Sequence, residues 1–304
     1  MPTVVRTYGN FNVTSATGNG TTVTLTYAST PSFTFLVGST IVVTGVTATT
    51  GSYNTAGATV TASTSTSVSF LGTGSGAVIQ PTGLVSQVVT TETVPTGATS
   101  VVVRMWGAGG AGAATNTGSP AQNGGGGAGG GYIQFTVAVV ASNTFTVSVG
   151  TPPVGPIEPA TLGTAGNPGG STTVSGTVSG GTVTMSAAGG GGGGSGNTVA
   201  LAATGGIAGT NSVSGGTSVT NTAGSAGGAG ALNTSGTGGA SPNGGSTAAG
   251  DTDGNNVGSG GGGTGGGLAA YGGRGGGGMV TFTYTTSGSQ TAIMYYQSNR
   301  LIAI

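Results

Sequence analysis

The first part of the chain alternates polar and apolar positions with a period of two. Thr21-Thr22-Val23-Thr24-Leu25-Thr26-Tyr27 is a clear run, and Ile41-Val42-Val43 and Ser67-Val68-Ser69-Phe70 are shorter ones. That period belongs to a half-buried β-strand, and β-branched Thr and Val suit a pleated surface. Gly18-Asn19-Gly20 separates two such runs and signals a turn. Tyr8, Phe11, Tyr27, Phe33, Phe35, Tyr53 and Phe70 are the candidate core. No Glu-, Lys- or Ala-rich window competes as a helix. Residues 1–86 are therefore expected to form a small β-barrel or sandwich.

The strand pattern returns at Val101-Val102-Val103-Arg104-Met105-Trp106, which runs straight into Gly107-Ala108-Gly109-Gly110. Residues 132–137 and 144–149 read as a hairpin pair, and 279–284 as a closing strand. These four strands are expected to make a compact β base. Between them the pattern changes altogether. Twelve of the 71 glycines precede Gly107 and one follows Gly278, so the other 58 lie in between. No aromatic residue falls between Phe145 and Tyr271. The glycines come in blocks, at 124–127, 129–131, 189–194, 260–263, 265–267 and 275–278.

Such blocks admit three arrangements. A flexible linker is the simplest. Collagen needs Gly at every third residue with abundant Pro, and the chain has only eleven Pro. The third is a packed bundle of extended three-fold glycine helices. Without Cβ atoms these can approach closely, and their N–H and C=O groups bond sideways between helices. Patterned strands frame the glycines at both ends, and that favours the third. The expected organisation is all-β: a domain over 1–86, a glycine-rich domain over 87–286 with a β base and polyglycine II helices, and a C-terminal tail over 287–304.

Charge changes the functional picture. Four basic residues (Arg6, Arg104, Arg274, Arg300) face four acidic ones (Glu92, Glu158, Asp251, Asp253), with no Lys, His or Cys. The commonest general base and metal ligand is missing, and so are thiolate chemistry and structural zinc sites. The basic footprint that nucleic acid or an anionic membrane needs is missing too. The start of the chain reads as no secretion signal, and no run of about 18 apolar residues suggests a membrane span. The expectation is a binding or structural protein with no cofactor, not an enzyme.

The stretch from Val101 to Gly110, ending in Trp-Gly-Ala-Gly-Gly, resembles the glycine-rich domain of phage tail fibre, adhesin and other virion proteins. The entry Val94-Pro95-Thr96-Gly97, the block at 124–131 and the segment from Asn143 to Gly150 carry the same resemblance. Val13-Thr14-Ser15-Ala16-Thr17-Gly18-Asn19-Gly20, Phe35-Leu36-Val37-Gly38-Ser39-Thr40-Ile41 and Gly51-Ser52-Tyr53-Asn54 are similar to a β module of marine cyanophage structural proteins. The first resemblance implies a polyglycine II sandwich whose distal loops contact a host receptor, and commonly a trimer.

Asp251, Asp253 and Asn255 have the alternate spacing of a calcium loop, but its twelfth position is Gly262, where a Glu would close the site. An Asx-rich turn explains the same residues. The four acids are too few and too scattered to supply a glycosidase pair. Trp106 reads as a core anchor or a sugar platform, with Arg104 beside it to pair with Glu92 or bond backbone carbonyls. Tyr271, alone among glycines near Arg274, makes these two the receptor-contact candidates. Ile293, Tyr295, Tyr296, Leu301 and Ile302 make the tail apolar, so it is expected to contact another subunit.

The leading functional expectation is a virion protein, assembled in the host cytoplasm and extracellular on release. It would act as a tail fibre or receptor-binding component, touching other virion proteins, copies of itself and a host-surface glycan or protein. A capsid decoration or head-fibre protein is the alternative, and a bacterial surface filament or adhesin subunit the next.

Overall fold

A computed structural model describes residues 3–76, 83–87, 91–114, 124–153, 164–195, 204–231, 234–244, 253–254, 257–258, 272–287, 295–297 and 300–302. The fold is all-β. Six strands form an N-terminal barrel: β1 (Thr3–Gly18), β2 (Thr22–Tyr27), β3 (Thr40–Thr44), β4 (Thr55–Ser63), β5 (Ser67–Leu71) and β6 (Leu84–Gln87). They are ordered β1-β2-β5-β4-β3-β6, and β6 pairs back onto β1 to close the barrel. Alternation along β2 buries Val23, Leu25 and Tyr27 and leaves Thr22, Thr24 and Thr26 outside. Phe11, Tyr27, Phe33 and Phe35 form an aromatic cluster with ring centroids 4.6–5.8 Å apart. The Gly18-Asn19-Gly20 turn is made as expected. Gly20 takes a positive φ of 87°, and Asn19 Oδ1 accepts from the amides of Thr21 and Thr22.

The barrel is joined to a sandwich without a break, because β1 is shared. Its first half, Thr3 to Gly9, pairs with β15 (Met279–Thr286), and its second half pairs with β2 and β6. A division at residue 86 therefore leaves the first residues of the chain in the base. Tyr8, expected in the barrel core, packs against the sandwich core instead.

The sandwich faces two five-strand layers. One comprises β14 (Thr217–Thr222), β9 (Tyr132–Ala138), β8 (Ala98–Trp106), β15 and the start of β1. The other comprises β13 (Ser212–Ser214), β12 (Gly181–Ala187), β11 (Thr172–Val178), β10 (Thr144–Ser148) and β7 (Thr91–Thr93). Val101, Val103, Met105, Phe135, Phe145, Val174, Met185, Phe282 and Tyr284 fill the space between them. The expected hairpin of 132–137 with 144–149 is not made. β9 pairs with β8 and β14, whereas β10 pairs with β11 and β7. The turn between them holds Ser142 at a φ of 69° and carries the chain across to the opposite sheet.

Two last strands, β16 (Tyr295–Gln297) and β17 (Arg300–Ile302), pair only with each other among the described residues.

Above the sandwich the strands run on as glycine helices. β8 continues into 107–114 and β12 into 188–195; 124–131 leads into β9, 164–170 into β11, and 272–278 into β15. The bonding along 107–114 repeats every three residues. Gly107, Gly110 and Ala113 donate to Gly131, Ala128 and Gly125; Ala108, Ala111 and Ala114 donate to Gly170, Asn167 and Thr164; Gly109 and Gly112 donate to Gly276 and Gly273. Each N···O distance is 2.8–3.0 Å. Three residues per turn with all bonds sideways is the polyglycine II arrangement. The two sheet layers continue as two helix layers, and 236–241 adds part of a third by donating from Gly236 and Gly239 to Gly124 and Gly127.

Tertiary packing explains why these positions are glycine. Gly107, Gly110 and Gly127 do not have positive φ. A Cβ at Gly110 would instead overlap the carbonyl oxygen of Gly191, and one at Gly127 that of Gly110.

Candidate functional site

A layer of polar side chains joins the β ladders to the lattice. Thr172 Oγ1 donates to the Trp106 carbonyl and accepts from the Gly150 amide at 2.9 Å. Asn211 accepts from the Ala188 amide and donates to the carbonyls of Tyr132 and Thr222. Ser241 donates to Gly130. These contacts satisfy backbone groups where one bonding pattern gives way to the other. Trp106 is a core anchor: it is buried, lies 5.0 Å from the Tyr132 ring and donates its indole N–H to the Pro242 carbonyl. Arg104 shares its face but bonds Gln134 Oε1 at 2.8 Å, not Glu92.

Glu92 has other partners. Its carboxylate, 1% exposed, accepts from Arg6 at 2.9 Å, Tyr8 at 2.6 Å and Tyr284 at 2.9 Å. Burial, and then the adjacent carboxylate, hold the Tyr8 and Tyr284 hydroxyls protonated well above the usual tyrosine range. Burial pushes Tyr27 up to about 12. An unfolded tyrosine ionises near 10 while these folded ones do not, so the unfolded state gains at high pH. The tyrosine contribution to stability should be level below about pH 10 and fall as pH rises beyond it. Thermal melts between about pH 8 and about pH 11 will check this, and Tyr284→Phe should flatten the slope.

Arg274 is buried, 8% exposed, which takes it off any receptor face. Its guanidinium donates to both Gly83 O and Val13 O in the barrel and to Asp253 Oδ2 at 2.8 Å. Asp253 Oδ1 accepts the Arg274 amide, so the second calcium-loop acid is held by a cation of the chain itself. Asn12 adds a bond from the barrel to Gly275 O. Together they fasten the lattice to the barrel. Asp251, Asn255, Tyr271 and Ile293 lie outside the described residues. The remaining tail candidates Tyr295, Tyr296, Leu301 and Ile302 lie on the β16–β17 hairpin.

The lattice has two unlike ends. One is the sandwich. At the other, Ala114 bridges Thr164, Gly124 bridges Ser195, Ala231 bridges Thr234, and Gly194 donates to Thr204. These residues flank 115–123, 154–163, 196–203 and 232–233 in the chain. Gly272, which follows Tyr271, sits against the Gly112 carbonyl near the same end. The segments 115–123, 196–203 and 232–233 thus have both flanks at this end, whereas 154–163 and 259–271 are each entered from residues nearer the sandwich, just past Thr151, which bonds Gly170, and from Gly258, which bonds Gly277. A model of the glycine-rich domain family matches residues 85–290, more than half of the chain. The chain belongs to this family. No curated protein matches it. The glycine-rich domain so defined begins within the last barrel strand and takes in the lattice, the closing strand β15 and every sandwich strand except the start of β1. Sequence reasoning missed the Glu92 cluster and the Asn12–Arg274 fastening, whose partners lie far apart along the chain.

Proposed function

We propose that this protein is a phage virion component, a tail fibre or receptor-binding part that recognises the host surface and does not catalyse a reaction. The observation that carries this reading is the polarity of the lattice. It is rooted in a sandwich and barrel at one end, and at the other it carries both flanks of three connecting segments, 115–123, 196–203 and 232–233. A backbone-bonded body of this kind holds loops rigidly with little side-chain chemistry, which suits presentation of a contact surface. With a formal net charge of +0, recognition rests on shape, hydrogen bonds and a few aromatics such as Tyr271, not on charge. The ligand is a host-surface glycan or protein. Copies of the chain and other virion proteins are its particle partners, with a trimer implied by the resemblance to phage fibres.

Gold-labelled antibodies against residues 85–290 test the reading on intact particles. Label at the tail extremity is the expected result. Label spread over capsid faces would instead assign the chain to shell decoration.

A further inference from the structure

Among the described residues, two elements offer open edges without a tether of the kind that holds β7. One is β14, the outer strand of the large sheet. Its described side chains are exposed on both faces, and Val219 is 40% exposed. Edge strands are usually shielded by Lys, Pro, an inward charge or a bulge; Thr217 to Thr222 has none of these residues, and its pairing with β9 shifts register once, between Thr217 and Thr220, leaving Thr220 to Thr222 regularly paired and open on the outer side. The opposite edge of the sandwich is managed differently: β7 is short and Glu92 ties it to β1 and β15. Beside it, the segment that leads into the neighbouring edge strand β13 carries Ile207, 81% exposed, the largest exposure among the described large apolar residues. The second unpaired element is the β16–β17 hairpin, which joins no other strand among the described residues. A lone two-stranded hairpin is marginal in water and gains most by adding to a sheet.

We infer that the hairpin of one copy of the chain adds to the β14 edge of a second copy, so that the β13–β14 flank is a self-association surface. Main-chain bonds supply the affinity, as in strand addition generally. A zero net charge puts no repulsion between copies. The hairpin follows β15 after residues 288–294, a span of at most about 25 Å, so it can extend beyond its own sheet. Its own β14 edge is only three strand spacings away, about 14 Å, yet the two are not paired in the fold of one chain. The inference does not depend on where in a particle the chain serves.

The absence of Cys makes the test direct. Chains carrying Thr220→Cys and chains carrying Gln297→Cys are co-expressed and run on non-reducing gels. A reducible dimer several-fold above that of either variant alone is the expected result. No excess over the single variants overturns the inference. So does a Thr220→Cys/Gln297→Cys chain whose disulfide closes within the monomer, or a native mass showing monomers only. Labelling of particles, by contrast, reads the virion assignment alone.

Discussion

Gly110→Ala should lower the melting temperature by roughly 10 °C, from a loss of about 3 kcal/mol. The added methyl group is the smallest side chain there is, and it is buried, so hydrophobicity alone would favour it. Its direction decides the outcome. The new Cβ would overlap the carbonyl oxygen and carbon of Gly191, and the Gly190 carbonyl lies close behind. A crowded side chain can change rotamer, but a carbonyl cannot retreat without moving its helix. Gly191 donates to Ile207, and the preceding residue, Gly190, donates to Ala108, so a shift there breaks bonds on both sides of 188–195. Ala111 shows that methyl groups as such are tolerated: one residue on, the same helix buries a side chain completely. Gly180→Ala is the matched control, because a Cβ there meets nothing within 4 Å. It should change stability by no more than about 0.5 kcal/mol. Differential scanning calorimetry of the three proteins checks the pair. Equal melting temperatures would mean that the glycine segments are loosely packed in solution.

The contrast between Gly110 and Gly180 also shows how far this fold is legible in the sequence. Glycine blocks framed by patterned strands are enough to suggest a lattice. Which amide meets which carbonyl is not readable, since Gly107 and Gly110 look alike until their neighbours are known. β2 and β15 stand out because bulky residues alternate with Thr along them. β11, with its sequence Thr-Thr-Val-Ser-Gly-Thr-Val, does not, because small side chains give little contrast between its faces. The turn before Thr144 reads locally as a hairpin, but β10 pairs with β11 and β7 in the other sheet, from which Phe145 packs across the core on Phe282, 5.5 Å apart. The candidate site follows the same rule. Arg274 looks exposed among glycines because nothing nearby in sequence can cover it. The barrel covers it from residues 13 and 83.

Glu92→Ala should cost on the order of 3 kcal/mol and open the sandwich along one edge. Among the described residues the carboxylate is the only group that the Tyr284 hydroxyl bonds, and Tyr284 has no exposed surface. Losing it leaves that hydroxyl buried without an acceptor and removes the partner of Tyr8 as well. Arg6 suffers less, since its side chain is 40% exposed and water can replace the carboxylate. The two tyrosines and the vacated space therefore carry most of the cost. Glu92→Gln keeps an acceptor of the same size, and the tyrosine hydroxyls can rotate to suit it, so it should cost about 1 kcal/mol. The position matters more than the energy. β7 belongs to one sheet, while Arg6 on β1 and Tyr284 on β15 belong to the other. Hydrogen exchange should consequently rise first in residues 3–9 and 91–93 of Glu92→Ala, with 107–114 still protected. Uniform loss of protection would show that the lattice depends on this edge, and that the sandwich and the glycine helices unfold as one unit.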